Sequence, residues 1–84
     1  MKLVYFAWIR ERIGREHETV ELPPEVATVS DLLTWLKSRG DEYMSALEKD
    51  DIVQVAVDHQ HVADRNTAIG KASEIALFPP MTGG

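Results

Sequence analysis

Cysteine is absent from this 84-residue chain. Its absence excludes disulfides, thiolate zinc sites and cysteine nucleophiles together, and it fits an intracellular, reducing setting. Basic residues are few beside acidic ones: 9 Lys and Arg against 14 Asp and Glu, for a formal net charge of -5. Phosphate binding needs a basic face, so nucleic acid is excluded as an expected partner. A basic protein surface suits the balance better. Long apolar runs are also missing. The longest, residues 3–9, is followed at once by "RER", where a signal peptide would place its cleavage region. A membrane-spanning helix would need about 20 such residues. The chain therefore reads as cytoplasmic and complete, with no membrane partner. Repeats, low-complexity segments and linkers are lacking too, which predicts a single domain.

What is present fits a small folded protein. Hydrophobic residues make up 44 % and charged residues 27 %, too apolar and too lightly charged for disorder. "KLVYF" opens as a strand with Leu3 and Tyr5 on one face and Val4 and Phe6 on the other. Two apolar faces predict a central strand covered on both sides. "AWIRERIG" predicts a short helix stopped by Gly14, and "HETVEL" a strand with Val20 and Leu22 inward, ended by Pro23 and Pro24. "TVSDLLTWLKSRG" carries the clearest signal. Val29, Leu32, Leu33 and Leu36 form one helical stripe, Thr28 is the expected N-cap with Asp31 three residues on, and Gly40 the expected stop. "DEYMSALEKDD" predicts a further short helix, "IVQVAV" a strand with Val53, Val55 and Val57 inward, "DHQH" a turn into another strand, and "EIALF" a last one. One long helix and four to five short strands cannot build a doubly wound sheet. They can build an α+β roll, a mixed sheet wrapped over one main helix, with the two terminal strands paired in its middle as in a β-grasp.

Several side-chain groups suggest chemistry that the spacing does not support. His59 and His61 share one side of a strand but lack a third ligand, and His17 stands apart, so no metal site is expected. The acids at 48–51 lack the glycine and alternating oxygens of a calcium loop and read as a solvated turn. Arg10, Arg12 and Arg15 cluster, but Glu11, Glu16 and Glu18 lie among them. Trp8 and Trp35 suit interface anchors or core edges equally. No Ser–His–Asp arrangement, phosphate loop or nucleotide fingerprint occurs.

The end, "FPPMTGG", differs in kind. With glycine at about 7 % of residues, a chain closes on Gly-Gly by chance only about once in 200. The pair follows the predicted last strand through Pro79 and Pro80, which fix φ and favour an extended exit. A stiff base with a slim tip suits insertion into a narrow active site. A domain over residues 1–78 with a tail over 79–84 is expected. The Gly84 carboxylate is a poor acyl electrophile until it attacks the α-phosphate of ATP. The resulting acyl-adenylate can lose AMP to a sulfur or amine nucleophile. The chain would then be a substrate, with Mg²⁺ and arginines supplied by a partner.

"FAWIRERIG" and "ALFPPMTGG" carry a resemblance: the chain is similar to the ubiquitin-like sulfur carriers, and within them to the small subunits of molybdopterin synthase. Those open on a strand ending in Phe-Ala, then a short helix with Arg-Glu closing on Gly, and end on Phe-Pro-Pro, an apolar residue and Thr- or Ser-Gly-Gly. The resemblance implies that Gly84 is adenylated by an enzyme related to those activating ubiquitin, using ATP and Mg²⁺, and converted to a thiocarboxylate by a sulfur-donor system. The tail would enter the large catalytic subunit of the synthase and pass sulfur to cyclic pyranopterin monophosphate, in an assembly of two small and two large subunits. Gly83 would be a thin neck; Thr82, Met81, Pro80 and Pro79 would line the partner's channel; Phe78 would begin the docking surface; Arg10 would touch the activating enzyme. The chain would bind no cofactor and catalyse nothing alone. Alternatives stay open: a carrier serving thiamine, cysteine or tRNA thiolation, a modifier joined to lysines, or a plain interaction module.

Overall fold

The structure, a computed structural model, describes residues 1–80. In chain order the elements are β1 (Lys2–Tyr5), α1 (Ala7–Ile13), β2 (His17–Thr19), α2 (Val29–Lys37), α3 (Asp41–Leu47), a 3₁₀ turn (Asp50–Ile52), β3 (Gln54–Val57), β4 (Gln60–Val62) and β5 (Glu74–Phe78). The five strands form one sheet in the order β2-β1-β5-β3-β4. β1 and β5 pair in parallel at its interior, with Leu3 opposite Ile75 and Tyr5 opposite Leu77; the remaining pairs are antiparallel. This is the β-grasp roll that the element order predicts.

Strand alternation decides where the core sits. Leu3, Tyr5, Val55, Ile75 and Leu77 share one face and are fully buried with Ile9, Val29, Leu32, Leu36 and Leu47 of the helices. The helices thus cover one face of the sheet. This corrects the expectation for β1: Val4 is only half-buried and Phe6 is 46 % exposed. An apolar second face marked an interior strand but not a second covering layer.

α2 begins as its sequence dictates. Asp31 N–H donates to Thr28 Oγ1 at 3.2 Å, and Thr28 N–H donates back to Asp31 Oδ2 at 3.2 Å, a complete capping box. Its end differs from expectation. The helix stops at Lys37, where Ser38 Oγ donates to the Trp35 carbonyl at 2.6 Å and satisfies a terminal acceptor. Gly40 instead precedes α3, its carbonyl accepting from Met44 N–H at 3.0 Å. β2 is also shorter than the predicted strand, because its register puts Val20 opposite Met1 and no β1 residue stands beyond. Val20 is nonetheless buried and Leu22 packs at the core edge.

The β3–β4 hairpin turns on Asp58 and His59, at φ 47° and 71°, the backbone of a two-residue I′ turn. Asp58 Oδ1 accepts from Glu74 N–H at 2.9 Å and Ser73 N–H at 2.8 Å. Those two bonds hold its carboxyl below the ordinary value and fasten the turn to the start of β5.

Candidate functional site

β5 is held on the β1 side to Leu77, whose carbonyl accepts from Phe6 N–H at 3.1 Å, and on the β3 side to Phe78, which stands opposite Gln54. At that end β1 finishes and β3 begins, so the chain leaves the sheet between Phe6 and Gln54. Pro79 and Pro80 follow, and neither has an N–H with which to continue the ladder. Met81, Thr82, Gly83 and Gly84, named above as the reacting tip and its approach, lie outside the described residues.

Around this exit the uncovered sheet face forms an apolar trough of about 470 Å³, lined by Phe6, Ala7, Ala56, Ala76, Phe78, Pro79 and Pro80. Its cause is in the alternation. Ala56 and Ala76 pair directly and point outward, and their small methyls leave open space beside Phe6 and Phe78. Phe6, still extended, follows the outward parity of Val4, and the chain then enters α1 through Ala7 at φ 52°, a left-handed conformation that costs a non-glycine residue roughly 1–2 kcal/mol. His61 forms a polar rim, its ring 6.0 Å from that of Phe78 and its Nε2 2.8 Å from Gln54 Oε1. These linings are hydrocarbon; they can desolvate a partner but cannot move a proton.

Arg10 is exposed on α1, three residues beyond Ala7, and among the described residues it forms no ion pair. The three arginines serve different ends. Arg12 lies 5.0 Å over the Trp8 ring, and Arg15 Nη1 approaches Glu18 Oε1 at 3.5 Å. The histidines do not converge: His59 Nε2 stands 3.6 Å from Glu74 Oε2. Among the described residues no group of three His, Cys, Asp or Glu is placed to hold a metal. In the acidic run at 48–51, Asp50 accepts from Lys37 Nζ at 2.6 Å and helps shape a turn. Trp35 packs at the core edge beneath Arg39, 5.1 Å from its ring.

Sequence reasoning missed Glu18, the one charged residue buried among the described residues. Its Oε2 accepts from Tyr5 Oη at 2.7 Å and Tyr43 Oη at 2.6 Å, and its Oε1 from Arg39 Nη1 at 2.9 Å. Burial pushes the carboxyl up, but the bonds from Tyr43, Tyr5 and Arg39 outweigh it and hold it below the ordinary value. Burial, then the bond to Glu18, push both phenols up. The signal was there: the parity that sends Val20 and Leu22 inward sends Glu18 inward as well.

A sheet over one helical layer, with terminal strands parallel at its interior and the last running into an apolar exit, defines a ubiquitin-like β-grasp protein. The chain belongs to the ThiS family, whose model matches residues 3–84. It is 34 % identical over 84 residues to the molybdopterin synthase sulfur carrier subunit of Haemophilus influenzae, covering 100 % of this chain and 99 % of that one. With the protein of the same name from Dictyostelium discoideum it shares 31 % identity, covering 99 % and 94 %. Among solved structures it is similar to H. volcanii small archaeal modifier protein 1, at TM-score 0.71 and 28 % identity over 95 % of each chain. No helix among the described residues is long and apolar enough to cross a membrane.

Proposed function

We propose that this chain carries sulfur on its C-terminal glycine for molybdenum cofactor assembly. The observation that carries the reading is the full-length likeness to molybdopterin synthase sulfur carrier subunits. It is supported by an interior strand that leads, at an apolar face, directly into the Pro-Pro-Met-Thr-Gly-Gly tail. An activating adenylyltransferase, with Mg-ATP, joins the Gly84 carboxylate to AMP and releases pyrophosphate. A sulfur donor then displaces AMP and leaves a thiocarboxylate. The large catalytic subunit takes the tail and directs its sulfur to cyclic pyranopterin monophosphate. Phe78 and the trough dock against these partners in turn, Pro79, Pro80, Met81 and Thr82 occupy the channel, Gly83 passes its narrowest point, and Arg10 contacts the activating enzyme. The chain itself acts as a sulfur-donating subunit, and its site of action is the cytoplasm.

The test is chemical. The purified chain is incubated with its host's activating enzyme, Mg-ATP and a sulfur donor, treated with a thiol alkylator and cut with trypsin after Lys71. Alkylation is expected on the 72–84 fragment at Gly84. No alkylation there would sink the proposal. A second reading is favoured by the structural likeness to a small archaeal modifier protein: the activated glycine joins lysines through isopeptide bonds. ATP consumption with isopeptides in place of a thiocarboxylate would support that reading instead.

A further inference from the structure

Two depressions are lined by segments that follow or precede the strand ends flanking β5. One is the apolar trough on the open sheet face. The other is a cleft of about 580 Å³ on the helical side, lined by Trp8, Arg12, Ala46, Glu48, Lys49 and Ile52. The cleft adjoins, along the chain, the two segments between which β5 ends. Trp8 follows Ala7 of the trough directly, and Ile52 is two residues before Gln54, the residue paired with Phe78. A third depression, floored by Met1, Leu22, Val26 and Ile69, opens at the start of β1, at the opposite end of the strands. A partner gripping the tail cannot easily reach it.

We infer that the large subunit, beyond holding the tail and the trough, seats part of its surface in the Trp8–Ile52 cleft. This deepens the sulfur-carrier reading and rests on it. Three observations favour that occupant. The first is size: a stable interface takes about 800 Å² and 20–30 residues from each partner. The seven residues of the trough are too few, and the cleft is lined by residues that neighbour the trough in sequence, Trp8 next to Ala7. The second is composition. Trp8 is half-buried, Ile52 is 40 % exposed, and aromatic, aliphatic and Arg side chains are those that carry binding energy.

The third is preorganisation and charge. Arg12 is stacked on Trp8, and its Nη1 donates to the Ser45 carbonyl at 3.2 Å, so little freedom remains to be lost on binding. Arg12 and Lys49 outnumber Glu48 at the cleft, a local positive excess on a chain of net charge -5. The complementary surface therefore offers an apolar side chain to the space between Trp8 and Ile52 and a carboxylate to Arg12.

The experiment is titration calorimetry of the full chain with the purified large subunit, comparing the wild type with Arg12→Glu, Ile52→Asp and Phe78→Asp. Rates of adenylation by the activating enzyme and melting temperatures are measured alongside. Arg12 and Ile52 are exposed, so both variants are expected to fold, whereas Trp8→Ala opens the α1–α3 packing and is left aside. Each cleft variant is expected to weaken large-subunit binding about 10- to 100-fold, with adenylation within about twofold of wild type. If Phe78→Asp weakens binding and the cleft variants do not, the cleft inference is overturned while the docking of the trough stands. If the cleft variants impair adenylation and leave large-subunit binding intact, the occupant is the activating enzyme and the inference is likewise overturned. If the wild-type chain does not bind the large subunit, the sulfur-carrier reading itself falls.

Discussion

The two faces of the sheet are built from the same strands and have opposite characters. The covered face carries Leu3, Tyr5, Val55, Ile75 and Leu77, all large and fully buried. The open face carries a row of Val4, Ala76 and Ala56 beside Phe6 and Phe78, small residues next to two rings. Alternate positions of one strand thus carry separate surfaces, a packed core on one side and, in the proposed function, a docking face on the other. A chain this short has one sheet to spend on both, and parity lets each be altered without the other.

That separation can be broken most severely from the covered side. Leu77→Ala removes fully buried methyl groups and is expected to cost about 3 kcal/mol. For a domain of this size that lowers the melting temperature by roughly 15 °C, as followed by circular dichroism. Its neighbour on the other face sharpens the contrast: Ala76→Asp should cost under about 1 kcal/mol yet abolish measurable docking of the large subunit.

Glu18 tests the covered side differently. Glu18→Gln removes the charge that Arg39 faces and should cost about 2 kcal/mol, read from urea unfolding. Its folded pKa lies below the ordinary value, so near and below about pH 4.3 the unfolded chain binds more protons than the native one. The Glu18 contribution is present above that pH and is lost as the pH falls through the folded pKa. The urea midpoint should drop between about pH 5 and pH 3, more steeply in the wild type than in Glu18→Gln. Tyr5 acts with the opposite sign. Its raised pKa contributes stability that is present below about pH 10 and is lost on further rise.

The smallest effect belongs to the turn that presents Phe6. Ala7→Gly relieves the left-handed strain at the cost of added chain entropy, for an expected gain of about 0.5 kcal/mol. The gain would appear as a slightly higher melting temperature.

Local signals made much of this molecule legible. The Thr28–Asp31 capping box, the stripe from Val29 to Leu36 and the Gly14 stop act over a few residues, and each lies where its spacing puts it. The pairing of the two terminal strands in the middle of the sheet followed from the element order. The tail was conspicuous because prolines and glycines leave so few alternatives. What stayed hidden depends on distance along the chain. Glu18 is satisfied by Tyr43 and Arg39, 25 and 21 residues away, and strand parity cannot name such partners. The open face was read as covered because alternation reports sidedness and says nothing of what lies above. The trough follows only once Ala56 and Ala76 are known to pair.

The place of β5 also has a mechanical consequence. Its ladder runs along β1 on one side and β3 on the other, so tension on the tail is directed along the strand and into both rows of hydrogen bonds. Such a load shears the bonds together, whereas an edge strand pulled from its end would peel open one bond at a time. A pull on the last few residues therefore meets the part of the fold least easily pulled apart.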